Sequence, residues 1–310
     1  MKDEPLNKRM ILFIVGPTSS GKTAVAVEAA RKINGEIISC DSMQVYRDMD
    51  VITGTPGEDI MRSVPHYLIK CVPPEEEYNA ARFAKEAGAL IDDIVSRGRM
   101  PVITGGTGLY MKALIDGIFP ASSRDEDLRG ELKKEAAEKG AAYLYERLKK
   151  ADPVTARALH PNDVRRVIRA LEVYELTGET IHDQKKGTRG IGPAYDCRIF
   201  GMELARSLLY ERINRAVDRM FDKGLVEEVG RLRQRRLSST AEKALGVKEI
   251  SSYLEGTAGR AQAGDELKKN TRRYAKRQLT WFRADERVEW LDAGRGVREI
   301  AEDILRRVNE

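Results

Sequence analysis

An eight-residue phosphate-binding pattern is the feature that most constrains this chain. Residues 16–23 read GPTSSGKT and match G-x-x-x-x-G-K-[ST] at every position. The apolar run 10–15 before them predicts a strand, and the mostly apolar helical pattern of residues 22–33 predicts a helix after them. Glycines in such a turn let backbone N–H groups surround phosphate oxygens, and the start of the helix adds positive charge. The sequence therefore predicts a site for a di- or triphosphate, without distinguishing ATP from other ligands.

Two side chains of this loop predict its chemistry. Lys22 offers a full positive charge to a terminal phosphate, and the Thr23 hydroxyl is a ligand for a bound Mg²⁺. The predicted diphosphate-binding residues are Gly16, Pro17, Thr18, Ser19, Ser20, Gly21, Lys22 and Thr23.

Strand-like and helix-like segments alternate in the N-terminal part of the chain. This alternation predicts an α/β protein with a P-loop NTPase-like parallel sheet flanked by helices. Strands are expected at residues 10–15, 36–40, 66–72 and 100–104, and helices at residues 22–33, 79–96 and 109–115.

The pattern changes after these segments. Residues 125–177 are helical throughout, with no strand-like run, which predicts an all-helical insertion. The expected domains are residues 1–122 with 187–310, the catalytic core, and residues 123–186, the insertion. The C-terminal part is expected to hold strands at 198–202 and 288–291 and helices at 208–223, 225–235, 265–283 and 297–308.

Two polar side chains follow predicted strands. Asp41 comes directly after the second strand, and Thr107 lies in the glycine-rich turn 105–110 after the fourth. In a parallel sheet, residues just past the carboxyl ends of the strands line the ligand crevice, so both side chains are expected near the phosphate loop. Asp41 could bind Mg²⁺ or accept a proton, or it could cap the next helix; Thr107 could face the ligand or act as a cap.

The net charge of +5 is unevenly distributed. Residues 268–283 carry seven basic side chains and no acidic one, with Tyr274, Trp281 and Phe282 between them. A solvated structural helix usually mixes charge signs, whereas a one-sign stretch with aromatic residues is typical of a polyanion-binding face. Charge alone leaves both a nucleic-acid surface and a structural helix with a basic side open.

Composition excludes several classes of protein. No apolar run approaches the ~18 residues of a membrane span. The charged N-terminus carries no signal-peptide pattern. Three widely spaced cysteines and three histidines argue against a disulfide scaffold and against a Cys- or His-rich metal site. They fit a reducing cytoplasm, so we expect a cytoplasmic protein.

In combination, these segments resemble the tRNA dimethylallyltransferase (tRNA isopentenyltransferase) family over nearly the whole chain. The segments Asp-Ser-Met-Gln-Val-Tyr, beginning at Asp41, and Lys-Arg-Gln-x-Thr-Trp, ending at Trp281, are far more specific than the phosphate loop alone. The matching segments are residues 16–23, 41–56, 105–114, 163–179, 244–249 and 271–283.

The resemblance implies transfer of a dimethylallyl group from dimethylallyl diphosphate to N6 of the adenosine just 3′ of the tRNA anticodon. The phosphate loop would then hold the leaving diphosphate, with Mg²⁺ as cofactor. Asp41 matches the general base, and Thr107 matches a hydroxyl beside the reacting centre. Thr18, Lys22 and Thr23 match the positions that handle diphosphate and metal.

The resemblance also implies two RNA-contacting surfaces and an insertion that swings over the anticodon loop, hinged near Ser122 and residues 187–192. We expect tRNA and dimethylallyl diphosphate as partners, with no membrane and no obligate protein partner. The implied tRNA-contacting residues are Asp41, Ser42, Met43, Gln44, Thr107, Arg129, Arg165, Arg166, Val167, Ile168, Arg169, Lys243, Lys248, Arg272, Arg273, Lys276, Arg277 and Gln278.

Two positions depart from the family pattern. Ala216 stands where the family usually has Arg, and Val247 where it more often has Tyr. Three other functions remain alternatives: a P-loop nucleotide or metabolite kinase, a dimethylallyltransferase of free adenine nucleotides, and a non-enzymatic RNA-binding module. The kinase and free-nucleotide alternatives leave the basic stretch unexplained, and the binding module leaves the phosphate loop without a use.

Overall fold

The computed structural model describes residues 9–118 and 125–309, and the expected hinge residue Ser122 lies outside them. The chain forms two compact units. One, the core unit, combines Met1–Ile115 with Ile191–Glu310, and the other, the helical unit, is Asp116–Gly190. The sequence places the bounds of the insertion at 123 and 186, slightly inside those of the helical unit.

A parallel sheet forms the centre of the core unit. Its six strands in the described residues follow the order β3-β2-β4-β1-β5-β6, and every pairing is parallel. The inner strands are almost entirely buried, which explains why they are continuous apolar runs rather than alternating ones. The strands are β1 Arg9–Val15, β2 Gly35–Ser39, β3 His66–Tyr67, β4 Met100–Gly105, β5 Tyr195–Glu203 and β6 Val288–Asp292.

Helices cover the sheet. Apolar residues of the first and last helices pack in one buried cluster with β1, for example Val25 and Ile304 with Ile14. The helices of the core unit are α1 Lys22–Lys32, α2 Asp50–Thr53, α3 Glu58–Ser63, α4 Ala80–Ser96, α5 Gly108–Asp116, α11 Arg206–Asp222, α12 Leu225–Leu232, α13 Val247–Leu254, α14 Arg260–Arg283 and α15 Val297–Asn309. The predicted α/β class with a parallel sheet is confirmed.

One strand prediction was wrong in its extent. Residues 66–72 were expected to form a strand, but β3 stops at Tyr67. Leu68 and Lys70 have φ angles of 57° and 50°, in the left-handed region, which a strand cannot continue through. Val72 pairs instead with Tyr46 in an isolated parallel bridge. The apolar pattern identified the segment correctly but did not reveal the turn within it.

The helical unit has its own core. Leu132, Leu144, Leu148 and Leu171 are almost completely buried there, because the helices present amphipathic faces to one another. Its helices are α6 Glu126–Lys139, α7 Ala141–Ala151, α8 Pro153–Ala158, α9 Val164–Thr177 and α10 Ile181–Lys186. Asp125 and Asp152 cap α6 and α8 by accepting hydrogen bonds from their first backbone amides.

Candidate active site

The phosphate loop connects β1 to α1 and has the backbone that the pattern predicts. Gly16 has φ 151°, and a Cβ atom there would lie 2.8 Å from the Met202 carbonyl oxygen. Gly21 precedes α1 with φ 92°, a conformation that other residues rarely adopt. These two positions therefore require glycine, and the loop they form leads directly into the helix N-terminus.

Lys22 is the charged side chain of this loop. Its Nζ donates a hydrogen bond to the Pro17 carbonyl at 3.2 Å. Burial lowers the pKa of Lys22, while the nearby Asp41 carboxylate acts in the opposite direction. Ser20 is 1% exposed, and its hydroxyl has no hydrogen-bond partner among the described residues. A bound anion would give the Ser20 hydroxyl a hydrogen-bond partner and would give the Lys22 ammonium a charged one in addition to the Pro17 carbonyl.

The turns after β2 and β4 are joined at the same edge of the sheet. The Thr107 amide donates to the Cys40 carbonyl at 3.2 Å, and the Ser42 amide donates to the Thr107 hydroxyl oxygen at 3.0 Å. A Cβ atom at Gly105 would collide with the backbone of Cys40, so this close approach needs glycine. The structure thus brings Asp41, Ser42 and Thr107 together.

Asp41 uses one carboxylate oxygen to organise its own turn. Its Oδ1 accepts hydrogen bonds from the amides of Met43 at 2.9 Å and Gln44 at 3.3 Å. The turn residues that follow do not form a helix. Oδ2 makes no hydrogen bond with the described residues, so one oxygen positions the side chain and the other is free to accept a proton.

Gln278 of α14 links the two glycine-containing loops. Its Oε1 accepts from the Thr18 amide, and its Nε2 donates to the Gly106 carbonyl, both at 2.9 Å. The side chain is 5% exposed. Gln278 was predicted to contact tRNA, but both ends of its amide are used inside the protein. The structure gives it a positioning role, and RNA contact by its side chain stays a prediction.

A cavity of 220 Å³ lies between these elements. Thr18 of the phosphate loop lines it together with Asp41, and Tyr274 and Arg277 enter it from α14. The remaining lining residues are Ser42, Met43, Ile52, Thr53, Met220, Lys243, Ala244, Leu245, Leu267 and Thr271. A phosphate-loop residue, a carboxylate and an apolar surface therefore share one cavity.

Tyr274 was noticed in the sequence only as an aromatic residue between basic ones. In the structure, burial raises the pKa of its phenol, the Asp41 charge adds to this effect, and a hydrogen bond with Thr107 acts in the opposite direction. The hydroxyl therefore stays protonated at neutral pH.

The sequence identified some of the other cavity residues and missed others. Ile52 and Thr53 lie in the matching segment 41–56, whereas no motif contains Met220 or Leu267.

The α14 helix divides its residues between the core and an exposed basic face. Ala275, Gln278 and Phe282 are buried, whereas Arg273 and Lys276 are exposed. Arg272 is half-buried and donates to Asn214 Oδ1 at 2.6 Å. Lys243 and Lys248, two further predicted RNA contacts of the core unit, are exposed residues, with Lys248 on α13.

The predicted RNA contacts of the helical unit differ in exposure and in their partners. Arg165 and Arg166 are exposed, whereas the side chains of Val167 and Ile168 lie in the core of the unit. Arg129 and Arg169 donate to Glu172 Oε2 at 2.7 and 2.8 Å. The four-residue spacing of Arg165 and Arg169 predicted that both lie on one helix face, which would contact the RNA. Of these two residues, Arg169 pairs with Glu172, whereas Arg165 forms no ion pair among the described residues.

Ala216 stands where the family usually has an arginine, but another arginine lies one helical turn earlier. Arg212 lies four residues before Ala216 on α11, and thus on the same face. Its Nη1 donates to the Ser20 carbonyl of the phosphate loop at 3.4 Å. Arg215, the residue before Ala216, pairs with Glu211. The other departure, Val247, is buried at the start of α13.

A metal ion at this site would need oxygen ligands. Among the described residues, no group of three or more His, Cys, Asp or Glu side chains could hold a metal ion. A narrow cleft beside Lys22 is lined by oxygen-bearing side chains, among them Thr23, Ser39, Asp41 and Thr104.

No described helix is both long enough and apolar enough to cross a membrane.

Comparison with known proteins gives a consistent result. The family model described as IPP transferase matches residues 44–285, and one described as isopentenyl transferase matches residues 9–73. The tRNA dimethylallyltransferase of Carboxydothermus hydrogenoformans is 48% identical, with 95% of this chain and 96% of that protein covered. The enzyme of the same name from Geobacter sulfurreducens is 43% identical, with 94% of each chain covered.

Two solved structures are similar over most of the chain. The full-length tRNA isopentenylpyrophosphate transferase of Bacillus halodurans is 41% identical, with 97% of both chains covered and a TM-score of 0.72. A eukaryotic dimethylallyltransferase acting on tRNA is 29% identical, with 92% of this chain and 74% of that chain covered and a TM-score of 0.77.

Proposed function

Because the chain belongs to the IPP transferase family, whose curated relatives are tRNA dimethylallyltransferases, we propose that it transfers a dimethylallyl group from dimethylallyl diphosphate to tRNA. The acceptor is N6 of the adenosine 3′-adjacent to the anticodon. The observation that carries this proposal is the cavity that Thr18 of the phosphate loop and Asp41 both line. It offers the diphosphate donor and the proton acceptor one common space.

The chemical step is a substitution at the allylic carbon. The bond between that carbon and the bridging oxygen breaks, and the diphosphate leaves with the electron pair. The N6 lone pair forms the new C–N bond, and the free Oδ2 of Asp41 accepts the N6 proton. Lys22 and the loop amides stabilise the charge that develops on the leaving diphosphate, because they are already positioned around it.

The donor set around the phosphate loop fits Mg²⁺. This ion prefers oxygen ligands and usually keeps several waters while it binds substrate phosphates, so it does not need a cluster of protein carboxylates. Thr23 would hold it through its hydroxyl, with the diphosphate as the main ligand. When bound, Mg²⁺ adds positive charge beside the leaving group.

Thr107 positions the acceptor side of the site. The Thr107 hydroxyl accepts from the Ser42 amide and thereby fixes the turn that carries Asp41. The target adenine must leave its stack to reach this cavity, which a single-stranded anticodon loop permits. The basic residues of α14 that are exposed and form no ion pair among the described residues, such as Arg273 and Lys276, bind the phosphates of the RNA, and the helical unit contacts the anticodon arm through Arg165 and Arg166.

A single incubation tests the proposal. Purified protein, Mg²⁺ and radiolabelled dimethylallyl diphosphate are mixed with unmodified tRNA, with AMP, or with a tRNA in which the target adenosine is replaced by guanosine. Label in the unmodified tRNA alone supports the proposal. Label in AMP would make free nucleotides the acceptor, and ATP hydrolysis without any transfer would favour the kinase alternative.

A further inference from the structure

The cavity that holds Asp41 also has an apolar wall. Its large apolar members come from four separate segments of the core unit, which are brought together only by the fold. They are Met43, Ile52, Met220, Leu245 and Leu267. These apolar side chains make no favourable contact with a diphosphate. They do stabilise a hydrocarbon group attached to it, because the contact removes apolar surface from water.

The backbone at Ile52, one member of this wall, is held by a buried carboxylate. Its backbone amide donates to Glu228 Oε1 at 2.8 Å, and the Val51 amide donates to Oε2 at 2.9 Å. Glu228 is 4% exposed, so the short helix α2 is fixed by a buried carboxylate. Burial raises the pKa of Glu228, and the two amide hydrogen bonds act in the opposite direction.

The backbone at Gly246 supports Ile52 from behind. Its φ angle is 108°, and a Cβ atom there would lie 3.0 Å from Ile52 Cγ1 and 3.7 Å from Leu267 Cδ2. The Gly246 amide in turn donates to Glu249 Oε2 at 2.9 Å. Ile52 therefore cannot move away from the cavity without displacing a backbone segment that is itself hydrogen-bonded.

Met220 forms a softer part of the same wall. Its Cε lies 4.0 Å from the point that a Cβ atom at Gly54 would occupy, so it packs against the end of α2. Methionine is unbranched and adapts its shape to its neighbours. The wall thus combines a fixed isoleucine with one adjustable side chain.

We propose that Ile52, together with Met220, determines the length of the prenyl donor by closing the cavity to chains longer than five carbons. This inference rests on the proposed function and specifies the donor of the same reaction. Geranyl diphosphate has the same reacting carbon and leaving group but carries a second five-carbon unit. Because protein interiors are close-packed, this unit has no room unless the wall recedes.

Donor competition tests the proposal. Ile52→Ala, Met220→Ala and the wild-type protein are each given dimethylallyl or geranyl diphosphate with Mg²⁺ and unmodified tRNA, and the prenylated nucleoside is identified by mass. We expect the ratio of kcat/KM for geranyl over dimethylallyl diphosphate to rise about tenfold or more in both variants, since one methylene in an apolar pocket already changes discrimination by about that factor. Ile60→Ala is the matched control, because Ile60 is 41% exposed on the neighbouring α3 and should leave the ratio unchanged.

Two further results keep the test decisive. If Ile52→Ala does not fold, Ile52→Val removes a single methyl group and should still raise the ratio. Variants that use dimethylallyl diphosphate normally and reject geranyl diphosphate as strongly as the wild type would overturn the inference. A wild-type protein that transfers no dimethylallyl group to tRNA would instead overturn the proposed function.

Discussion

The helices α14 and α9 both carry arginines that the sequence assigned to RNA, but they use them differently. On α14, Arg273 and Lys276 are exposed and form no ion pair among the described residues. On α9, Arg169 meets the fully buried Glu172, which also receives Arg129 from α6. A charge that faces only solvent is available to a phosphate, whereas a charge on a buried carboxylate is part of the fold. The ion pairs of an arginine, rather than its charge alone, therefore indicate whether it can bind RNA.

If the basic face of α14 only delivers the RNA, the chemistry must depend on a residue inside the cavity. We therefore expect Asp41→Ala to give the largest loss of activity, about 10²–10⁴-fold in single-turnover rate, because a general base contributes about that factor. Binding of tRNA and of dimethylallyl diphosphate should stay within a few-fold of the wild type. The rate is measured by rapid quench and the two affinities by filter binding. A variant that retains the wild-type rate would remove Asp41 from the mechanism.

The buried carboxylate of the helical unit provides the next largest effect. Glu172→Gln removes the buried charge that Arg129 and Arg169 share, so we expect a loss of about 3–5 kcal/mol in the stability of this unit. Urea unfolding followed by circular dichroism measures it. Glu138→Gln is the control, because Glu138 pairs with Lys134 at 3.9 Å on the surface and should change stability by less than ~0.5 kcal/mol. Equal effects of the two substitutions would contradict the structural role of Glu172.

The same carboxylate predicts a pH dependence. Burial opposes the ionisation of Glu172, but hydrogen bonds from Arg169 and Arg129 outweigh it and lower its pKa below the usual glutamate value. Its contribution to stability is therefore complete above the pKa of the unfolded chain and is lost as the pH falls through the lower pKa of the folded protein. The stability difference between wild type and Glu172→Gln should shrink over that acidic range.

The exposed charges of α14 should matter for RNA and not for folding. Arg273→Ala with Lys276→Ala should weaken tRNA binding about tenfold and reduce the slope of log K against log[salt] by roughly two, one for each lost phosphate contact. Affinities are measured between 50 and 200 mM salt, the range over which such slopes are usually determined.

A matched control separates position from net charge. Lys268→Ala with Arg283→Ala removes two charges from the same helix, but these residues pair with Asp218 and Glu203. This control should bind tRNA nearly as well as the wild type. If both double variants lost affinity and salt dependence equally, net charge rather than the exposed face would explain binding.

The sequence was sufficient to predict those parts of the site whose positions depend on backbone conformation. The phosphate loop and the turns after β2 and β4 follow from glycines and strand ends, so Asp41 and Thr107 could be placed near the loop before the structure was known. Side-chain partners were not predictable in the same way. The clamp by Gln278 joins positions 260 residues apart, and no local pattern contains such information. For the same reason, Arg165 and Arg169 looked equivalent in the sequence.

The smallest effect that we predict separates those two arginines. Arg165 is exposed, so Arg165→Ala should weaken tRNA binding by about three- to fivefold and leave stability unchanged. Arg169→Ala should lower the stability of the helical unit, since it removes a hydrogen bond from a buried carboxylate. Any loss of tRNA affinity in Arg169→Ala should disappear at a temperature where the unit remains folded. Filter binding and thermal unfolding of the two variants, with Arg157→Ala as an exposed control on α8, measure both quantities. A loss of RNA binding in a fully folded Arg169→Ala protein would show that an arginine paired with a buried carboxylate still contributes to the RNA surface, and would break the distinction between the two helices.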